Sequence, residues 1–131
     1  MLEHLRQKVI RILASAHTVN LASYGPADIQ SSPVQCEAIE TTLYILVPIR
    51  SDHLTNLENH PAVVITTQDW ELHGKAEFLS SDKKTAGLKL SASPDTGWSR
   101  VITILPRKIT IHNLSDSAHS ETIDFDDQSK E

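Results

Sequence analysis

Residues 44–74 read YILVPIRSDHLTNLENHPAVVITTQDWELHG, and the other elements of the chain are predicted around them. The apolar residues 44–47 predict a buried strand, because a short apolar run followed by turn residues is typical of one. A helix is expected over about residues 53–59, with Ser51 or Asp52 as its N-cap, since both side chains can accept from the first free N–H groups. A strand that leads through a polar turn to a helix N-terminus offers backbone N–H groups to an anion.

Proline marks the end of this helix and the start of the next strand. Pro61 excludes helical backbone at the residue before it and has no N–H to donate. Residues 62–67 are β-branched and apolar and predict a strand, and Trp70 opens another. Within that later strand, Gly74 predicts a bulge or the close approach of another backbone.

The first part of the chain supplies one helix and two strands. Residues 2–16 carry apolar side chains at steps of three and four, which is typical of an amphipathic helix with one buried stripe. Residues 17–24 and 27–39 then predict two strands joined by a Gly-Pro turn. Pro33, in the second of them, indicates an edge position or a bulge.

The last part of the chain continues the alternation of strands and turns. Residues 81–90 allow a short helix, residues 91–97 predict a loop, and residues 98–105 and 108–112 predict two strand pieces separated by Pro106. The whole chain thus has six or seven short strands, which are expected to pair antiparallel because their links are short. We expect a small closed or nearly closed β-barrel with peripheral helices, because closure removes exposed sheet edges.

Length and charge indicate one folded domain with an acidic end. The chain has 131 residues and a net charge of −5, and residues 114–131 carry six acidic residues against Lys130, which is also −5. Residues 1–113 are therefore neutral and have no basic stripe, which argues against nucleic-acid binding. We expect a folded domain over residues 1–113 and an acidic, flexible tail over residues 114–131.

The sequence lacks the signals of a membrane or secreted protein. Its longest apolar runs, residues 43–48 and 101–106, are too short to span a bilayer, and the first residues mix acidic and basic side chains. The single cysteine, Cys36, excludes an intramolecular disulfide and fits a reducing compartment. We therefore expect a cytoplasmic protein that does not associate with membranes.

Residue types that bind metals or carry catalysis are present, but without a recognisable spacing. The seven histidines form no metal-binding pattern on a single element, so no metal site is expected. Cys36 lies in a predicted strand and is expected to be a small buried side chain rather than a reactive thiolate. Nucleophile elbows and glycine-rich phosphate loops do not occur, and no catalytic residue can be assigned.

The turn before the short helix is the remaining candidate site. Arg50, Ser51 and His53 could converge on a phosphate, with the helix N-terminus behind them. Asp52 opposes this arrangement, because its carboxylate repels the same anion. A capped helix with a solvated turn explains these residues more simply.

Several segments, in order and spacing, resemble the flavin-binding split-barrel family typified by pyridoxamine 5′-phosphate oxidase. The matching segments are LYILV (43–47), SDHLTNLENHP (51–61), AVVI (62–65), GKA (74–76) and WSRVITILPRKI (98–109). The similarity extends over about residues 5–112 and is specific for the fold rather than for an activity.

The resemblance implies a mainly β protein, a six-stranded antiparallel split β-barrel with peripheral helices. Such proteins form homodimers and hold FMN in a groove at the subunit interface. The cofactor-binding residues that the resemblance implies are Arg50, Ser51 and His53 at the phosphate, Ser31, Ser32 and the backbone of Leu46 and Val47 along the ring and ribityl chain, and His112 from the second subunit.

The chain departs from the family at positions that are cationic in the oxidase. These positions hold Ser31, Cys36, Asp52 and His53. Each charge-assisted hydrogen bond to a phosphate is worth about 1.5–3 kcal/mol, so FMN binding would require Arg50, Arg107 or Lys108 to replace the lost cations. Pyridoxamine 5′-phosphate oxidase activity itself is not expected.

The sequence leaves functions of different classes open. The first is an FMN-dependent oxidoreductase, a homodimeric flavoprotein that acts on an unidentified small molecule. The second is a binding module of the same fold that has lost FMN phosphate recognition and holds haem, a deazaflavin or a small metabolite. A third is an interaction protein, which rests on the acidic tail alone.

Overall fold

A computed structural model describes residues 3–78, 98–112 and 120–125 of the chain. In chain order the elements are α1 (Glu3–Ala14), β1 (Thr18–Ser23), β2 (Gln30–Ile39), β3 (Thr42–Pro48), α2 (Asp52–Asn59), β4 (Ala62–Thr66), β5 (Trp70–Phe78), β6 (Ser99–His112) and β7 (Ser120–Asp124). The protein is mainly β, as expected. The predicted helix at 81–90 and loop at 91–97 lie outside the described residues.

The strands close into a six-stranded antiparallel barrel. Their order in the sheet is β3-β2-β1-β4-β5-β6, and a further antiparallel pairing of β3 with β6 completes the ring. β7 pairs with the far half of β6 and lies outside the closed ring. The predicted six-stranded split barrel with peripheral helices is therefore confirmed.

The barrel is filled by the alternate, inward-facing residues of its strands. One row across the interior joins Leu21, Ile65, Leu72 and Ile109, which face one another on β1, β4, β5 and β6. All four are fully buried, as expected for strands whose one face is the core. α1 adds Val9 and Leu13 from its apolar stripe to the same core, as its amphipathic pattern predicts.

Two prolines lie in strands at positions where a neighbouring strand pairs on one side only, so the missing N–H of proline costs no hydrogen bond on the other side. Pro33 pairs with Asn20 of β1, and the β2–β3 pairing begins only at Gln35, so the predicted edge position is confirmed. Pro106 does not divide β6, which runs unbroken from Ser99 to His112, and here the prediction of two pieces is wrong. β3 pairs with β6 only up to Ile104 and β7 only from Lys108, which leaves Pro106 a neighbour on one side alone.

Gly74 lies at a β-bulge, as its position in the sequence predicts. The β5–β6 register passes from His73↔Lys108 to Gly74↔Pro106, so Arg107 is the extra residue on β6. A Cβ atom at Gly74 would lie 2.8 Å from the carbonyl oxygen of Leu105, which explains why glycine is needed there.

The structure differs from the sequence-based prediction in two further segments, the start of β2 and residues 120–124. β2 begins at Gln30 rather than Ala27, because the chain first turns through Asp28, whose φ of 66° does not belong to a strand. Residues 120–124, within the segment predicted as tail, form β7 and bury Ile123 against the barrel. The predicted boundary after residue 113 lies outside the described residues and stays a prediction.

No helix in the described part of the chain is long and apolar enough to cross a membrane.

Candidate functional site

A buried histidine joins the first turn of α2 to the barrel. His53 is 3% exposed. Its Nδ1 lies 2.6 Å from Oγ of Ser23 on β1, and its Nε2 lies 2.8 Å from Oγ of Ser32 on β2. Both ring nitrogens are thus occupied by hydroxyl groups, which can donate or accept as the imidazole requires.

The environment of His53 favours the neutral imidazole. Burial lowers its pKa from the ordinary 6.5, and the carboxylate of Asp52 opposes this in part. Ser23 and Ser32 carry no charge that would compensate a buried imidazolium. His53 is therefore a neutral bridge between strands and helix.

An equally buried amide, Asn56, lies one turn further along α2. Its Nδ2 donates to Oγ of Ser23 at 3.2 Å and to the carbonyl oxygen of Asp28 at 2.8 Å, and its Oδ1 accepts from the N–H of Ala27 at 2.9 Å. These bonds hold the β1–β2 loop in place, including the positive φ of Asp28. The same loop carries Tyr24 and Ile29, which border the groove described below.

The turn at Ser51 is built as a helix cap. Oγ of Ser51 accepts from the N–H of His53 at 3.1 Å, as the N-cap prediction requires. The turn borders a depression of about 450 Å³ that contains Arg50 and Arg100 together with two carboxylates, Asp52 and Glu58. The two charges of each sign cancel, so this depression has no net attraction for an anion.

The three residues predicted at the phosphate are therefore placed differently from one another. Arg50 is exposed at the turn, Ser51 caps the helix, and His53 points into the barrel wall with both nitrogens hydrogen-bonded. A phosphate at this turn would have to remove His53 from those bonds. The residues present at the Ser51 turn thus fit an FMN phosphate poorly.

The residues predicted along the flavin ring lie on both faces of the barrel wall. Ser31 is on the outer face, where its hydroxyl accepts from Nδ2 of Asn20 at 2.8 Å, and Ser32 binds His53 on the inner side. Leu46 packs on the outer face with Val101, whereas Val47 is part of the barrel core. Beyond the pair Gln35↔Leu46, β2 and β3 separate.

His112, predicted to come from a second subunit, is far from the Ser51 turn within one chain. It is the last residue of β6, exposed, and pairs with Ser120. Arg100, beside the Ser51 turn, lies near the opposite end of the same strand.

A cavity lies on the outer face of β1, β4 and β5, and we call it the outer groove. Its volume is about 820 Å³. Ala22, Val64 and His73 face one another on three adjacent strands and form its floor. The remaining residues that line it are Ser23, Tyr24, Ile29, Pro61, Ala62, Val63, Gly74, Lys75 and Arg107.

The outer groove is apolar on one side and basic on the other. Tyr24 and Ile29 are 56% and 72% exposed, and an edge-to-face contact at 5.7 Å between ring centroids holds Tyr24 against His60. On the β5–β6 side, Nε2 of His73 lies 2.7 Å from a carboxylate oxygen of Glu71. Lys75 and Arg107 have no ion-pair partner among the described residues.

Sequence patterns did not reveal the outer groove, because its residues come from four strands and two loops. Two of its residues had been singled out in the sequence for other reasons: Gly74, as a bulge position, and Arg107, as a replacement cation.

The described residues contain neither a metal site of several protein ligands nor a reactive thiol. No group of three or more potential metal ligands is found among them. Cys36 faces the core, where burial and, to a smaller extent, the neighbouring Glu37 raise its thiol pKa to about 11. Cys36 is therefore an inert thiol at neutral pH.

No protein-family model matches the sequence, and no curated protein matches it significantly. Solved structures do match. A protein of the pyridoxinephosphate oxidase family from Clostridium acetobutylicum, related to general stress protein 26, superposes with a TM-score of 0.70 at 10% identity, covering 97% of this chain and 99% of its own. The general stress protein 26 of Bacillus anthracis gives 0.67 at 20% identity, covering 93% and 99%.

A heme binding protein from Mycobacterium smegmatis also shares the fold, with a TM-score of 0.71 at 16% identity. The match covers 91% of this chain but only 57% of that longer protein. These identities are low, so the comparisons establish the fold. The chain has the split-barrel fold of the pyridoxamine 5′-phosphate oxidase-like proteins, which confirms the resemblance seen in the sequence.

Proposed function

We propose that this chain is a split-barrel flavoprotein that binds FMN in the outer groove and uses it as an oxidoreductase on a small molecule. The observation that carries the proposal is the outer groove itself, a surface of apolar residues bordered by two cations, Lys75 and Arg107, that have no ion-pair partner in the described part of the chain. Its volume of about 820 Å³ lies within the range of about 300–1,000 Å³ that is usual for cofactor sites.

The walls of the outer groove suit a flat aromatic ring. Ala22 and Val64 give a floor of small and β-branched side chains on which a ring can lie, and Tyr24 offers an aromatic edge. The loop that carries Tyr24 is fixed by Asn56, so this wall is preformed. FMN, when bound, would supply two-electron chemistry, while the chain supplies binding, orientation and charge.

We also propose that the outer groove is completed by a second copy of the chain. Tyr24 and Ile29 leave large apolar side chains exposed at its rim, an arrangement that a partner subunit would cover. The partner could then bring His112 to the cofactor, as the resemblance implies. Light scattering at defined concentration tests this, because a dimer has twice the 14.5 kDa mass of one chain.

A blocking substitution tests FMN binding in the outer groove. Val64→Arg places a long cation on its floor, whereas Thr66→Arg makes the same change two residues along β4, outside the lining. In a titration followed by flavin fluorescence, we expect saturable FMN binding to the wild type and to Thr66→Arg, and none to Val64→Arg. Equal binding by the two variants would exclude the outer groove.

A haem is the second candidate ligand, and one contact favours it. His73 lies in the outer groove with one ring nitrogen against the Glu71 carboxylate, the type of partner that orients metal-ligating imidazoles. The similarity to a heme binding protein supports the same candidate. A Soret band that forms on haem addition and is lost in His73→Ala would favour haem over FMN.

The predicted cytoplasmic location remains a proposal. It is supported by the single cysteine of the chain, which allows no intramolecular disulfide.

A further inference from the structure

We infer that Lys75 and Arg107 form the anion-binding end of the outer groove, in place of the turn at Ser51. This inference rests on the proposed function and adds the class of ligand to it: a flat molecule that carries a phosphate monoester or a carboxylate. The residues that the resemblance places at the phosphate have no part in this subsite.

The bulge in the barrel brings the two cations to one side of the outer groove. Lys75 directly follows Gly74 on β5, and Arg107 is the extra residue that the bulge inserts into β6. Without the bulge, the side chains after Pro106 would simply continue to point alternately to the two faces of the sheet. The inserted residue instead lets Arg107 and Lys75 line the same groove.

The charges around these two cations favour an anion. Both side chains are exposed, and neither is ion-paired within the described part of the chain. Two carboxylates lie on the same face of β5 as Lys75: Glu77, two residues further along the strand, and Glu71, which contacts His73 at 2.7 Å. A ligand phosphate would meet two cations that have no ion-pair partner among residues 3–78, 98–112 and 120–125, with guanidinium geometry suited to two parallel hydrogen bonds at Arg107.

The competing turn at Ser51 lacks this imbalance. Its two arginines share their depression with Asp52 and Glu58, and its capping hydroxyl already accepts from the N–H of His53. The side chains that line the depression at Ser51 have a formal charge of zero, whereas those that line the outer groove at the bulge have a positive one. Electrostatics thus assigns the anionic end of the ligand to the bulge.

The experiment is an NMR titration of the labelled full chain with inorganic phosphate at constant ionic strength, followed by FMN and by riboflavin, which lacks the phosphate. Two charge-matched double variants are compared with the wild type. One is Lys75→Met with Arg107→Met, and the other is Arg50→Met with Arg100→Met. A charge-conserving variant, Lys75→Arg with Arg107→Lys, controls for folding.

We expect phosphate to shift the backbone amides of Lys75 and Arg107 in the wild type, in the charge-conserving variant and in the Arg50/Arg100 variant, and not in the Lys75/Arg107 variant. Loss of both cations should weaken FMN about 100–10,000-fold, to the affinity of riboflavin, and leave riboflavin unchanged. Phosphate shifts confined to residues 51–54, or absent everywhere, would overturn the inference.

The two proposals fail in different ways. If riboflavin and FMN leave the amides of Ala22 and Val64 unchanged, flavin binding in the outer groove is wrong, whereas the phosphate titration still decides for or against the anion subsite.

Discussion

Nε2 of His53 lies 2.8 Å from Oγ of Ser32, and this contact ties the first turn of α2 to β2 at the place where β2 separates from β3. The other ring nitrogen holds Ser23 on β1. One side chain thus connects three elements, and a phosphate could reach its ring nitrogens only if these hydrogen bonds were broken.

Replacement of His53 by alanine should destabilise the fold. The change removes the imidazole partner of the buried Ser23 hydroxyl and of the half-buried Ser32 hydroxyl, and an unsatisfied buried polar group costs about 1–3 kcal/mol. We expect a loss of about 2–4 kcal/mol in the free energy of unfolding, measured by urea denaturation. His4→Ala, at an exposed position of α1, is the control and should change it little. Equal effects of the two substitutions would show that the buried contacts of His53 are not important for stability.

Stability should fall at acid pH because of the same imidazole. In the folded state the pKa of His53 is lowered from 6.5. As the pH falls below 6.5, the unfolded chain therefore binds a proton at this imidazole more readily than the folded chain does. This contribution is complete above about pH 6.5 and is lost as the pH falls towards and through the lowered pKa. The difference in unfolding free energy between wild type and His53→Asn should therefore shrink from pH 7.5 to pH 5. A difference that stays constant over this range would contradict a lowered pKa of His53 in the folded state.

Gly74→Ala should destabilise the barrel at the bulge. The new Cβ would lie 2.8 Å from the Leu105 carbonyl oxygen and 3.0 Å from the side chain of Ile104, so β5 and β6 would have to move apart. We expect a loss of about 1–3 kcal/mol and a lower melting temperature, measured by calorimetry. Lys75→Ala, at the exposed neighbouring position, serves as the control. An unchanged melting temperature for Gly74→Ala would mean that the two backbones do not approach this closely.

Cys36 should not react in the folded protein. Burial raises its thiol pKa to about 11, so almost no thiolate exists at pH 8 and little of the sulfur is accessible. A thiol reagent such as 5,5′-dithiobis(2-nitrobenzoic acid) should label the chain only after urea is added. Rapid labelling without urea would place Cys36 at the surface, contrary to its position in the core.

Much of the fold followed from local sequence rules. Ser51 as a helix cap, Pro33 at an edge and Gly74 at a bulge each depend on a backbone property of the residue itself, and each is confirmed. The continuity of β6 through Pro106 could not be predicted in the same way. It depends on which strands lie beside the proline, and those strands are distant in sequence.

The candidate site was harder to predict than the fold. His53 follows a polar turn and reads locally as an exposed residue, and only the pairing of β1 with β2 brings Ser23 and Ser32 to its two nitrogens. The outer groove likewise forms from residues of four strands and two loops that are distant in sequence. Its basic side depends on the register shift that inserts Arg107 into β6, so that Arg107 and Lys75 line the same groove.

The most direct test of the proposed function is the visible absorbance spectrum of the protein after addition of excess FMN and removal of unbound cofactor by desalting. We expect flavin absorbance to elute with the wild-type chain at about one FMN per outer groove, and Val64→Arg to elute colourless. A colourless wild-type protein would contradict FMN binding, and a wild type and Val64→Arg that are equally coloured would contradict its location in the outer groove.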